Sequence, residues 1–195
     1  MSGAAADVPP GMLALRADAH AALAAWAAPD ERQQSLRLRY LEHLAQEPGG
    51  AWRDGPTCHL TAGVMLLDHD ERRVLLTLHP KVGLWLQLGG HLEPEDASLR
   101  DAALREATEE SGIPGIVVSQ QPIELHAHEL GSGFTRCTEH LDVRYAAWAP
   151  DGAEEQISEE SDDLAWWPVD ALPEASDPDL PHLVAAARAA TRPAP

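Results

Sequence analysis

The segment Gly89–Ile113, GGHLEPEDASLRDAALREATEESGI, constrains this chain more than any other stretch. Wound at about 100° per residue from Ser98, it lines up Leu99, Ala102, Ala103 and Ala107 as an apolar stripe. Glu106 and Glu110 fall inside that stripe. Arg100, Asp101, Arg105, Thr108 and Ser111 lie on the opposite, polar side, and Leu104 also projects toward it. Two carboxylates one turn apart on an inward face repel each other and lose hydration. A cation between them removes both penalties. The pattern therefore points to a hard divalent cation with oxygen ligands, of the kind that suits magnesium or manganese. An acid-rich helix is ordinarily a solvated face, but here the acids lie on the wrong side for that.

The helix has marked ends. Ser98 with Asp101 three residues on resembles a capping box, with aspartate in the place of glutamate or glutamine. Gly112 is placed to take the left-handed conformation that closes a helix. Upstream, the strand-like Gly83–Leu88 runs into Gly89-Gly90, where missing side chains let the backbone approach a ligand and offer it carbonyls. Glu93, Glu95 and Asp96 add acid ahead of the helix N-terminus, where the macrodipole favours it.

These residues resemble the Nudix box, G-x5-E-x7-R-E-U-x-E-E-x-G-U, with U a bulky aliphatic residue. The match runs from Gly90 through Arg105-Glu106, Glu109-Glu110 and Gly112 to Ile113. Ala107 is small for its U position. Asp96 stands where the pattern has its first glutamate, one extra residue precedes Arg105, and Leu88 replaces a proline common before the glycines. The family's order of elements extends over roughly Thr61 to Leu172. The resemblance implies hydrolysis of a nucleoside diphosphate linked to another group, or of a similar diphosphate, on an α/β/α sandwich with a mixed sheet. It implies Mg2+ or Mn2+ held by Glu106, Glu110 and the Gly89 carbonyl. Glu109 would bind a second ion or activate water, and Arg105 would hold the glutamates in place. A late-loop acid often joins such a site, and Glu160, then Glu159, are the candidates.

Bulk properties narrow the partners. A chain of 195 residues is long enough for a full core as one domain. A net charge of −18 argues against extended binding to a nucleic-acid backbone, although an anionic nucleotide can still bind locally through metal. Cys58 and Cys137 have no CxxC or ligand spacing and read as reduced thiols. The start MSGAAADVPPG lacks a basic flank and a long apolar run, and no stretch approaches a membrane span. A cytoplasmic enzyme acting on a small-molecule nucleotide, with no membrane or nucleic-acid partner, is the expectation.

Along the chain, residues 1–50 read as a short tail and a helical pair, Met12–Ala27 and Glu31–Gln46, divided by Pro29-Asp30. This pair is outside the Nudix pattern and could pack on the main domain, shape the pocket or support a homodimer. Residues 51–195 form the catalytic unit. Strands are expected at Thr61–Leu67, Arg73–His79, Leu84–Leu88, Ile116–Ser119, Ile123–Glu129, His140–Trp148 and Leu164–Val169, with a terminal helix at Asp179–Thr191.

Ten histidines are unusual company for these elements. His126 and His128 alternate on one strand, and His140 shares a strand face with Asp142 and Arg144. Nothing has the tight spacing of a structural zinc motif. His91, His140, Lys81 and Arg144 are candidate contacts for phosphate or base, and Trp85, Tyr145, Trp148, Trp166 and Trp167 are candidate stacking rings or core. Two rivals to hydrolysis remain at this level. A diphosphate isomerase of the same fold would need a positioned cysteine and acid. A non-catalytic sensor of nucleotide derivatives would use the N-terminal helices as its output, but such modules tend to lose box glutamates, and this chain keeps all three.

Overall fold

The computed structural model describes residues 8–131, 136–156 and 162–194. In chain order it contains α1 (Pro10–Ala25), α2 (Glu31–Gln46), β1 (Cys58–Leu67), β2 (Arg73–His79), β3 (Leu84–Leu86), β4 (Leu88–His91), α3 (Leu99–Ser111), β5 (Val117–Val118), β6 (Glu124–Glu129), β7 (Glu139–Trp148), β8 (Asp163–Pro168) and α4 (Leu180–Ala189). Among the described residues no helix is long and apolar enough to cross a membrane.

The strands form one mixed sheet. β1 and β7 run parallel along their full length at its centre, and both are buried almost throughout, as parallel strands covered on two faces must be. The remaining pairings are antiparallel. The edge of β1 forks. Its residues Thr61–Val64 pair with β4, while Leu66 and Leu67 pair with β2. The expected single strand Leu84–Leu88 is therefore two strands, because Leu84–Leu86 pairs with β2 and the chain then crosses to β1. Gly89 makes the crossing possible. Its φ is 153°, and a Cβ there would lie 2.6 Å from the Gly63 Cα.

Helices cover the two faces of the sheet, giving the expected α/β/α sandwich. One face places Leu60, Ala62, Val64 and Leu66 of β1 in a single core with Met12 and Leu15 of α1, Tyr40 and Leu44 of α2, and Leu99, Ala102, Ala103 and Ala107 of α3. Leu104 is partly buried against this core rather than left in water. The other face packs Met65, Leu67, Val74, Leu76, Ala146 and Trp148 under Leu180, Leu183, Val184 and Ala187 of α4. That apolar cover stops halfway along β1 and β7. Beyond it the same face is polar, because paired residues share a side of a sheet. His59 lies opposite His140, Thr61 opposite Asp142 and Gly63 opposite Arg144. β6 adds His128, His126 and Glu124, and β4 adds His91 opposite Thr61.

The N-terminal pair is clamped to the sandwich by polar side chains as well as by core packing. Asp18 of α1 accepts a 2.8 Å hydrogen bond from the Leu99 backbone N–H, satisfying a donor at the start of α3 that has no partner inside the helix. Gln33 of α2 is buried and pairs twice with the Leu125 backbone, donating from Nε2 at 3.0 Å and accepting at Oε1 at 2.7 Å. We expect Asp18→Ala to cost about 0.5–2 kcal/mol, in line with lost helix caps. Gln33→Ala should cost about 1–3 kcal/mol, because it strands buried backbone groups. Urea denaturation checks both. Two neutral substitutions would show that the helical pair is held by apolar contacts alone.

Candidate active site

The site is built by α3 and β4. At the helix start, Ser98 Oγ accepts from the Asp101 N–H at 3.1 Å and donates to Asp101 Oδ2 at 2.8 Å. Gly112 ends the helix with φ 66°, as its position in the sequence foretold. Between these ends, Glu106 and Glu110 turn toward the glycine pair of β4. The Gly89 N–H donates to Glu110 Oε2 at 2.8 Å. A Cβ on Gly90 would lie 2.7 Å from Glu106 Oε2, so a larger residue would push that carboxylate from its place. The Glu106 side chain is 14% exposed, whereas that of Glu109, on the outer side, is 60% exposed.

Arg105 organises this group. Its Nε and Nη2 hold Asp96 through both carboxylate oxygens at 2.8 and 3.0 Å, and Nη2 also donates to the His91 carbonyl at 2.9 Å. Its Nη1 reaches Glu106 Oε1 and Glu109 Oε2, each at 3.0 Å. One planar guanidinium thus ties the helix, the loop before it and the end of β4 together. Hydrogen bonding to Asp96, followed by the Glu106 and Asp96 charges, holds its pKa above the usual arginine value against the cost of burial. Asp96, at 5% side-chain exposure, also accepts from the Glu93 N–H at 2.8 Å. The shorter acid and the extra residue in the box therefore still meet Arg105.

The other candidates divide. Lys81 is exposed in the β2–β3 loop. Glu159 and Glu160 lie outside the described residues. Arg144 is 2% exposed, with Nη1 on Glu124 at 2.9 Å and Nη2 on Asp142 at 3.2 Å and His126 at 2.9 Å. Its guanidinium is thus engaged in two ion pairs with little exposure, which a phosphate contact would have to open. Trp148 and Tyr145 are core residues, while Trp85 and Trp167 meet edge to face at 5.3 Å, partly buried. A recess of about 510 Å3 at the β1–β2 turn is lined by Asp68, Arg73 and Arg188 among others, past the Leu67 end of β1, whereas the glycine pair lies opposite Ala62 and Gly63.

His91 and His140 come together on the polar half of the second face, with ring centroids 5.0 Å apart, and His59 stands 5.2 Å from each. His59 is not among the residues the sequence singles out, and Cys137 reads there as a reduced thiol without ligand spacing. The only signal was His59 in alternation with Thr61 and Gly63, and its value depends on the β1–β7 register. Burial holds His91 down to about 3 and His140 down to about 4, and lowers His59.

A family model described as the NUDIX domain matches residues 57–187, more than half of the chain. The chain belongs to the Nudix family. The resemblance of the box thus extends to the domain, and the class of activity is that of a Nudix-type pyrophosphohydrolase. No curated protein matches the sequence. Among solved structures, a NUDIX-family hydrolase from Clostridium perfringens is similar, with 26% identity and a TM-score of 0.51 over 67% of this chain and 94% of that one. An Ap4A hydrolase from C. elegans has 18% identity and a TM-score of 0.54, covering 67% of this chain and 95% of its own. The dihydroneopterin triphosphate pyrophosphohydrolase of E. coli has 20% identity and a TM-score of 0.52, covering 64% and 91%. The last two show a shared fold. Nudix hydrolases generally use divalent metal ions, and the residues here fit one, since carboxylates with low exposure converge on a glycine cradle and every donor offered is a hard oxygen.

Two predictions follow the geometry. Gly90→Ala should displace the Glu106 carboxylate and lower kcat by roughly ten- to a hundred-fold with the fold intact, read from steady-state kinetics beside circular dichroism. The second concerns pH. Histidines depressed in the folded chain take up protons first in the unfolded chain, so they leave stability unaffected above about pH 6.5 and reduce it as pH falls toward their folded values. His128, raised mainly by its hydrogen bond to Asp142, acts in the opposite direction. Burial also lowers His43 and His79, so with one histidine set against five depressed, calorimetry of metal-free protein should find Tm falling from about pH 7 to about pH 5, above the carboxylate range. A flat or rising Tm would contradict this.

Proposed function

We propose that this chain cleaves a diphosphate bond in a nucleoside diphosphate derivative or a similar small molecule, by water attack on phosphorus. The cation would be Mg2+ or Mn2+, held by Glu106, Glu110 and the Gly89 carbonyl, with Glu160 as a further ligand. The observation that carries this reading is the convergence of Glu106 and Glu110 on Gly89-Gly90. When bound, the ion offsets the diphosphate charge and acidifies water. Arg105 keeps the carboxylates aimed at one place, so little reorganisation is needed when substrate arrives. Glu109, the most open of the three, would accept the proton of the attacking water or meet a second ion. Lys81 is the candidate phosphate contact, whereas His91 and His140 lie on the sheet face opposite α3.

Ap4A and dihydroneopterin triphosphate, which appear in the names of two relatives, share phosphoanhydride linkages. That linkage, not either compound, is what we carry over to this chain. We take residues 51–195 as the catalytic domain and residues 1–50 as an addition that braces it. The two free cysteines suit a reducing cytoplasm, where we place the protein. The isomerase reading gains little from Cys58. That thiol donates to Glu139 at 3.3 Å, and burial, followed by this bond, pushes it up to about 12.

Purified protein with magnesium and a panel of nucleotide sugars, dinucleoside polyphosphates, ADP-ribose and oxidised nucleotides should release phosphate-bearing products. Metal removal should abolish turnover, and Glu110→Gln should lower kcat by orders of magnitude without unfolding the chain. Release of no product from any compound, or an unimpaired Glu110→Gln enzyme, would refute the reading.

A further inference from the structure

The polar half of the second sheet face holds a cluster that hydrolysis does not use. His59 of β1, His91 of β4, His140 of β7 and Cys137 each present one ligating atom, and these atoms all lie within 4.8 Å of one another. The Cys137 Sγ is 3.7 Å from His59 Nε2. A tetrahedral zinc site needs nitrogen–nitrogen and nitrogen–sulfur separations of about 3.3–3.6 Å, given its bond lengths. One pair is already close to that spacing, and the others need side-chain shifts on the order of 1 Å.

The orientation of the rings is specific. His59 is 1% exposed, and its Nδ1 lies 3.0 Å from the Pro56 carbonyl. An N–H at Nδ1 donates to that carbonyl and leaves the Nε2 lone pair facing the cluster. Metal-binding histidines are commonly fixed by such a carbonyl. Among the described residues, the Nε2 atoms of His91 and His140 are buried without a hydrogen-bond partner. Buried polar atoms without partners are costly, and a shared cation would satisfy them together. The neighbouring group of His126, His128 and Asp142 is different. Asp142 is already paired with Arg144, bonded to Thr61 and 3.4 Å from His128, so a guanidinium occupies the place of a cation there.

We propose that His59, His91, His140 and Cys137 form a second metal site, for a soft or borderline divalent ion such as Zn2+, distinct from the carboxylate site on α3. Three imidazoles and a thiolate complete a tetrahedron, leaving no open position, so the site is structural. It staples β1, β4 and β7 to the segment leading into β7. Its His91 ligand is two residues from Gly89, and the His91 carbonyl is bonded to Arg105. Loading this site therefore fixes the strand that cradles Glu106 and Glu110. Sulfur and nitrogen donors separate it from the oxygen-only site, which favours magnesium.

The test is zinc binding to the full chain stripped with a chelator, followed by calorimetry and by cobalt substitution. We expect one zinc per chain, bound in the presence of excess magnesium, and a Tm raised by at least about 5 °C. Cobalt should give tetrahedral visible bands with a thiolate charge-transfer band. Cys137→Ser, checked for folding by circular dichroism, should lose that band and weaken zinc by more than the roughly 100-fold cost of losing an outer partner. Glu106→Gln/Glu110→Gln should keep full zinc affinity while losing turnover. If the folded Cys137→Ser chain holds zinc as tightly as the parent, or wild type shows no saturable binding, the site does not exist. Loss of zinc from the double glutamine variant would place the ion at the box instead. Failure of the proposed hydrolysis would leave these binding results unchanged.

Discussion

The contacts of Arg105 are what the rest of the site depends on. A single guanidinium, partly buried, spans Asp96, the His91 carbonyl, Glu106 and Glu109. Without it, three acids would crowd one end of a helix beside a glycine pair that has no side chains to answer them. With it, mutual repulsion among the carboxylates is offset before any metal arrives, and their directions are set by the fork of one rigid group. The fold places this fork where a helix on one face of the sheet meets the forked edge of β1.

The N-terminal helices extend the same logic outward. Asp18 supplies the start of α3 with an acceptor, and Gln33 locks α2 to the β6 backbone. The helix bearing the glutamates is thus braced from a segment preceding the region that matches the family model. On the opposite side, the His91 carbonyl connects Arg105 to a strand whose own side chain faces the histidine cluster. The site therefore sits between two supports, one of hydrogen bonds to added helices and one of side chains on the second sheet face.

Most of the local structure was legible in the sequence because it is written in short-range patterns. The period of α3, its caps and the inward turn of Glu106 and Glu110 follow from residues within one helix and its flanks. The box resemblance then led to a fold that the family match bears out. What escaped was long-range. The split of Leu84–Leu88 into β3 and β4 depends on the fork of β1, which no local pattern records. Arg144 looked available on an alternating strand, but only the pairing with β6 reveals Glu124 and His126 beside it. His59 and Cys137 are separated by most of the domain in sequence and meet through the β1–β7 register. Spacing rules for zinc read neighbours along the chain, so a site assembled across strands is invisible to them.

The central claim, that a cation bridges two inward-facing carboxylates of α3 beside the Gly89 carbonyl, can be seen directly. Diffraction from manganese-soaked crystals, collected at the manganese edge, should show an anomalous peak within about 2.5 Å of oxygens from Glu106 and Glu110 and of the Gly89 carbonyl. A peak confined to other residues, or no peak at saturating manganese, would contradict the account.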